Sequence, residues 1–326
     1  MATVRSIAVT NQKGGVGKTT TVANLGAALA QRGLYVCLVD LDPQAHLTLH
    51  FGIDPTALNA TTYDVLTADV PLSRAAILVE NHLTVIPSVI DLAAAEVEMA
   101  GTVGREQILR DRIAAETFPY DLLMIDCPPS LGLLTLNALA AAEEVIIPLQ
   151  PHFLALQGLG KLLETVSLVQ RRINAGLKIS GVVFCMHEGA TRLAAEVVED
   201  VTRFFSSSRG AGRPWSEARI YRTRIRRNIK LAECPSHGTT IGHYDPFSLG
   251  AADYSALAEE FMAACEGRPA GEHEPARPQA QPAPEAVQPA PAEAASAPDQ
   301  PQPAQEQDEA SATAANPAAL PPEAAP

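Results

Sequence analysis

The stretch Lys13-Gly14-Gly15-Val16-Gly17-Lys18-Thr19-Thr20 sets two cations and two hydroxyls around a run of glycines. Glycines let successive backbone N–H groups turn toward one point, and a helix opening directly afterwards adds the positive end of its dipole. That combination binds phosphate groups. Within it, Lys18 is spaced to reach the β and γ oxygens of a nucleotide, and the Thr19 hydroxyl to ligate Mg²⁺. The spacing departs from the common G-x-x-x-x-G-K-[ST] form: Gln12 stands where the first glycine would be, and Lys13 places a second cation at the start of the loop.

Two aspartate-headed segments supply complementary chemistry. Asp40-Leu41-Asp42-Pro43-Gln44 and Asp126-Cys127-Pro128-Pro129-Ser130 each follow a short apolar run. An aspartate that ends a strand near a phosphate loop is placed to hold Mg²⁺, usually through water. Asp126 is the candidate for that task, with Thr19 and Asp42 on the same metal-facing side. A normal aspartate, with a pKa of about 3.9, is a poor base at neutral pH. Positioning and electrostatics must then carry any hydrolysis.

These residues need strands to end together and helices to start from them. Short, almost wholly apolar runs at 6–10, 36–39, 83–86, 122–125, 145–149 and 181–185 read as strands covered on both faces. Helix-period segments at 19–31, 96–115, 131–141, 156–172, 191–205 and 251–265 alternate with them. The alternation predicts an α/β fold with a doubly wound, mainly parallel sheet and helices on both faces. Ligands in such folds sit beyond the carboxyl ends of the strands.

The chain has 326 residues and a formal charge of −13. Its last part is compositionally distinct. Residues 267–326 are Ala/Pro-rich, with nine acids against two arginines and almost no large apolar side chain. Such a segment cannot bury enough surface to offset its ordering entropy, so disorder is expected there and a folded domain over 1–266. Cys37, Cys127, Cys185, Cys234 and Cys265 form no C-x-x-C pair and suit free thiols in a reducing compartment. With no signal-like or membrane-length apolar run, a cytoplasmic location is expected.

Between residues 203 and 230 nine basic residues meet one acid, Glu217. Arg219, Arg222, Arg224, Arg226, Arg227 and Lys230 are the candidate phosphate contacts of a nucleic acid. No helix-turn-helix precedes the glycine loop, so non-specific, salt-sensitive DNA binding is expected. The alternative is a solvated surface whose cations pair with carboxylates.

The doubled-lysine loop and both aspartate segments resemble those of the deviant Walker A ATPases of the ParA/MinD group, over nearly all of residues 3–265. The resemblance implies a slow ATPase with ATP and Mg²⁺ as cofactors. It implies that Lys13 crosses to the phosphates of a second copy, giving an ATP-dependent homodimer, and that Asp42 positions or activates the attacking water. Glu233-Cys234-Pro235-Ser236-His237-Gly238 is similar to the loop that wraps the adenine in ParA proteins, which gives Pro235 and Ser236 that role. Arg227-Asn228-Ile229-Lys230 resembles their DNA-binding stretch; a second arginine site of the family is held here by Ala190, with Arg192 two residues on. The inserted-looking stretch 206–215 carries Arg209 and Arg213, which could compensate. The implied partner is a ParB-like protein or an equivalent that triggers hydrolysis, and the cargo is a chromosome, a plasmid or a protein cluster. Two other readings exist within the superfamily. A MinD-like membrane ATPase would need a basic amphipathic C-terminal helix, and none is expected to contact a membrane here. An electron donor like nitrogenase iron protein would need paired interface cysteines.

Overall fold

The computed structural model describes residues 4–117, 119–152, 155–188, 192–264 and 281–282. The strands are β1 (Arg5–Val9), β2 (Val36–Asp40), β3 (Ile77–Glu80), β4 (Leu83–Ile86), β5 (Leu122–Asp126), β6 (Glu144–Leu149), β7 (Lys178–Phe184), β8 (Arg219–Ile220) and β9 (Gln281–Pro282). They form one sheet in the order β8-β7-β6-β1-β5-β2-β4-β3-β9. Every pairing is parallel except β3–β4.

Alternate residues of the central strands feed opposite faces, as a pleated strand requires. Ile7, Val9, Leu38 and Met124 belong to one buried cluster, which the helices Lys18–Ala30 and Leu249–Ala263 complete through Leu25, Leu29, Leu257 and Phe261. Ala8, Val39, Ile125 and Ile147 belong to the other, packed by the helices Leu133–Ala141, Ala155–Arg172 and Arg192–Ser207. Burying both faces is why these strands read as continuous apolar runs.

Two expectations need correction. The helix foreseen over 96–115 is divided into Leu92–Glu98, two 3₁₀ turns and Ile108–Ala115. Gly101 and Gly104 lie in the break, and Gly104 adopts φ +75°, which ends an α-helix at little steric cost. The strands expected included neither β3 nor the two-residue β8, which pairs parallel with β7. The four residues of β3 turn back through Asn81 and His82, the latter at φ +64°, and pair antiparallel with β4. The tail expected over 267–326 lies outside the described residues, apart from Gln281–Pro282.

The register sets up the functional edge. Asp126 at the end of β5 stands opposite Val9 of β1 on one side and Asp40 of β2 on the other. The glycine loop and both aspartate segments therefore leave the sheet side by side. A second constraint ties two more loops together. Gly52 and Gly238, both with positive φ, cross so closely that a Cβ on Gly238 would lie 2.9 Å from the Gly52 Cα. Replacing Gly238 by Ala adds left-handed strain to a backbone clash. We expect G238A to lower stability by about 1–3 kcal/mol, or roughly 2–10 °C in Tm by thermal denaturation. An unchanged Tm would show that the crossing relaxes freely.

Candidate nucleotide site

The helix Lys18–Ala30 starts from Gly17, which has φ +92° and therefore favours a glycine. Thr19, in its first turn, faces β5. Its Oγ1 donates a 2.6 Å hydrogen bond to Asp126 Oδ2. The other carboxylate oxygen, Oδ1, is buried with no hydrogen-bond partner among the described residues. A buried acceptor left alone is costly, and a hard cation is one way to satisfy it. A threonine hydroxyl beside an aspartate, both oxygen donors, fits Mg²⁺ with its retained waters.

Electrostatics point the same way. Burial pushes the Asp126 carboxyl well above the usual range, and the nearby Asp40 raises it further, against the opposing Thr19 hydrogen bond and Lys18 charge. Asp40 is pushed up to about 7, chiefly by burial, although it accepts hydrogen bonds from Thr48 N (2.9 Å), Thr48 Oγ1 (2.7 Å) and Asp42 N (3.1 Å). Burial also lowers the Lys18 ammonium, while Asp126, Cys127 and Asp42 pull it back. Lys18 Nζ donates to the Lys13 carbonyl at 3.4 Å, curling over the loop. Adjacent buried carboxylates of one sign carry a cost that added positive charge relieves.

These groups open into a cleft of about 900 Å³ lined by Gly14, Gly15, Gly17, Lys18, Thr19, Thr20, Asp42, Pro235 and Ser236, among others. Val16, buried beneath the loop, anchors it. Asp42 Oδ1 accepts from Gln44 N at 3.0 Å, which orders the segment that carries it. Pro235 and Ser236 lie in the turn Cys234–His237, and Ser236 Oγ donates to Glu233 O at 2.7 Å. That hydroxyl is thus engaged with its own turn, leaving the proline ring and backbone to face the cleft. Lys13 is exposed; its Nζ donates to Gln150 Oε1 at 3.1 Å and touches His152 Nε2.

Asp40 was passed over at sequence level. The signal was present as the first carboxylate of the Asp-x-Asp segment, but its task, gathering the Thr48 and Asp42 amides, is visible only in the fold. Four described cysteines, Cys37, Cys127, Cys185 and Cys234, are buried free thiols; Cys265 lies outside the described residues.

The basic residues do not form one bare face. Arg219 is exposed on β8. Arg222 lies 3.9 Å from Glu260, and Arg224 Nη1 contacts His187 Nε2 at 3.0 Å. Arg226 is held by Asp253, with hydrogen bonds from its Nε and Nη2 at 2.5–3.1 Å. Arg227 pairs with Glu188 at 2.9 Å and Lys230 with Glu233 at 3.0 Å. Arg226 and Arg227 also border the nucleotide cleft. Arg213 lies over the ring of the buried Trp215, which stacks on Phe204. Ala190 lies outside the described residues, and Arg192 pairs with Glu196.

Comparison with known proteins decides the family. The AAA domain family matches residues 4–179. The chain is 48% identical over 259 residues to the sporulation initiation inhibitor protein Soj of Bacillus subtilis, covering 79% of this chain and 98% of that protein. This chain belongs to the Soj/ParA family of partitioning ATPases. It is 42% identical over 259 residues to the chromosome partitioning protein ParA of Myxococcus xanthus, covering 79% and 88% of the two chains. A solved structure of cobyrinic acid a,c-diamide synthase from Mycobacterium smegmatis, with bound ADP and magnesium, matches with a TM-score of 0.69 and 38% identity, covering 82% of this chain and 97% of that one. The chain is thus an ATPase whose cofactors are ATP and Mg²⁺.

A pH dependence follows from Asp126. A carboxyl raised by burial contributes most to stability below its unfolded pKa of about 3.9, and that contribution is lost as pH rises toward its folded value. Asp126→Asn removes the penalty. We expect D126N to raise the Tm of nucleotide-free protein at pH 8 by a few degrees, at about 2–4 °C per kcal/mol, with a smaller gain at pH 5. The same change should cut Mg²⁺-dependent hydrolysis at least about tenfold. Melting curves at both pH values and a phosphate-release assay check the pair. A destabilised variant at pH 8 would contradict the electrostatic account.

Proposed function

We propose that the chain is a partitioning or positioning ATPase in which bound ATP joins two copies, the joined form binds DNA without sequence preference, and a ParB-like or equivalent protein triggers hydrolysis and release. The observation that carries this reading is a second lysine, Lys13, exposed at the mouth of a phosphate loop that Lys18 already serves. Two triphosphates face to face concentrate negative charge, and one lysine and one Mg²⁺ per site leave much of it unbalanced. Lys13 is held by Gln150 and the neighbouring His152 on the chain surface, contacts that a nearby phosphate can replace.

Within each copy, Gly14 to Thr20 wrap the phosphates with backbone amides and Lys18 neutralises the β and γ oxygens. Thr19 and Asp126 would hold the Mg²⁺. The ion, when bound, offsets charge that develops on the transferred phosphoryl group. Asp42 orients the attacking water, held in place by its link to Gln44 and by the anchoring of its own amide on Asp40. Pro235 and Ser236 cover the base. Arg219, Arg222, Arg224, Arg227 and Lys230 offer contacts to DNA phosphates, while Arg226, fastened to Asp253, sets their backbone in place. The buried Cys127 is not presented at the surface, as a cluster ligand shared between two copies would be, which favours this reading over an electron donor.

The test uses the Asp42→Ala variant to block turnover. With saturating ATP–Mg²⁺ its mass by light scattering should double, and the Lys13→Ala/Asp42→Ala double variant should stay monomeric. The dimer should also retain duplex DNA, and Arg227→Ala/Lys230→Ala should lower that affinity at least about fivefold at moderate salt. A persistent monomer would refute the joining role of ATP; full DNA retention by the double alanine variant would refute the patch.

A further inference from the structure

The sheet finishes differently on its two sides. On one side β8 carries the exposed Arg219, a charge that discourages a further strand. On the other lies β3, Ile77-Leu78-Val79-Glu80, whose one charge is engaged: Glu80 Oε1 lies 3.1 Å from His243 Nδ1 of the helix Ile241–Tyr244. Leu78 is 41% exposed. An apolar edge with open backbone groups is a template for pairing with another chain.

β9 covers this edge. Gln281 and Pro282 pair parallel with Ile77 and Leu78. The paired residues of β3 lie just before its register shift against β4, and a bulge there bends the strand and limits how far an added segment can follow. The tail sequence suits the pairing. Residues 278–284, Pro-Gln-Ala-Gln-Pro-Ala-Pro, carry no charge between Arg277 and Glu285. A residue before a proline is biased toward extended backbone, which favours Gln281 as a strand residue. Pro282 has no amide to offer to a further strand.

Chain length permits the pairing within one copy. The Phe261 ring lies 4.4 Å from the Arg5 guanidinium at the start of β1, so the tail leaves the helix Leu249–Ala263 near that end of the sheet. From β1 to β9 there are five strand spacings, about 24 Å at about 4.8 Å each. From Ala264 to Gln281 the chain takes seventeen steps, about 55–60 Å at full extension. Reach exceeds span about twofold, and linkage in one chain sets an effective concentration in about the millimolar range.

We propose that the β3 edge is a strand-addition site, that its occupant is the chain's own tail docked through Gln281–Pro282, and that the docked tail closes this edge of the sheet to a second copy. The Ala/Pro-rich segment thereby acts as a guard for the one apolar edge strand, a task separate from the nucleotide site.

The test uses the full-length chain. With Cys265→Ser the other four thiols are buried, so thiols added by Leu78→Cys and Pro282→Cys report on each other. Register partners on parallel strands lie about 4.8 Å apart, inside the disulfide range of about 4.4–6.8 Å between Cα atoms. Under mild oxidation the bond should form within one copy, at least about fivefold faster than between Leu78→Cys and Ala304→Cys. Equal rates would overturn the docking. A bond mainly between two copies, seen as a doubled mass on non-reducing gels, would overturn its assignment to the chain's own tail. Hydrogen exchange then compares wild type with Gln281→Pro, which removes the one amide that β9 carries. Amides of Ile77–Glu80 should exchange at least about threefold faster in the variant, and unchanged exchange would overturn the proposal. Without nucleotide, the variant should also gain mass by light scattering at concentrations where wild type does not; equal masses would overturn the guarding role.

Discussion

The hydrogen bond from Thr19 to Asp126 ties the helix that opens at the phosphate loop to the end of β5, and the site depends on it. It consumes one carboxylate oxygen and leaves the other buried and unmatched. A divalent cation placed there would satisfy that oxygen and offset the charge. The neighbouring Asp40 adds to the cost, because two carboxyls opposite each other on adjacent strands share one desolvated volume. The stability cost thus falls where added positive charge would offset it.

Much of the sheet was readable because parallel strands buried on both sides leave unbroken apolar runs, and because β1, β2 and β5 each end in a residue with chemistry after it. The phosphate loop was readable for a local reason: glycine conformations and helix polarity are properties of a few adjacent residues. What escaped was set by packing at a distance. β3 is four residues long, and its identity as a strand depends on pairing back onto β4. The helix foreseen at 96–115 is interrupted by two glycines, whose effect a period count averages away. Asp40 shares its motif with Asp42, and the fold alone separates the residue that anchors from the residue that faces the cleft.

The basic stretch shows a different limit. Charge counting identified an excess of arginine, but not where each guanidinium would go. Asp253, far along the chain, converts Arg226 from a surface cation into a structural tie, with the carboxylate almost buried beneath it. Arg213 likewise lies against Trp215, and that indole packs into the core beside Phe204. A stretch that looks inserted by sequence thus carries a hydrophobic plug of its own.

The crossing of Gly52 and Gly238 has a consequence for how such a protein can diversify. The segment that follows Asp42 and the segment that follows Pro235 meet at Gly52 and Gly238, where a Cβ on Gly238 would lie 2.9 Å and one on Gly52 3.3 Å from the other's Cα, so a shift of one presses on the other. On the roles proposed for Asp42 and Pro235, the choice of base and the timing of hydrolysis share one mechanical joint. A lineage that alters one inherits an adjustment in the other.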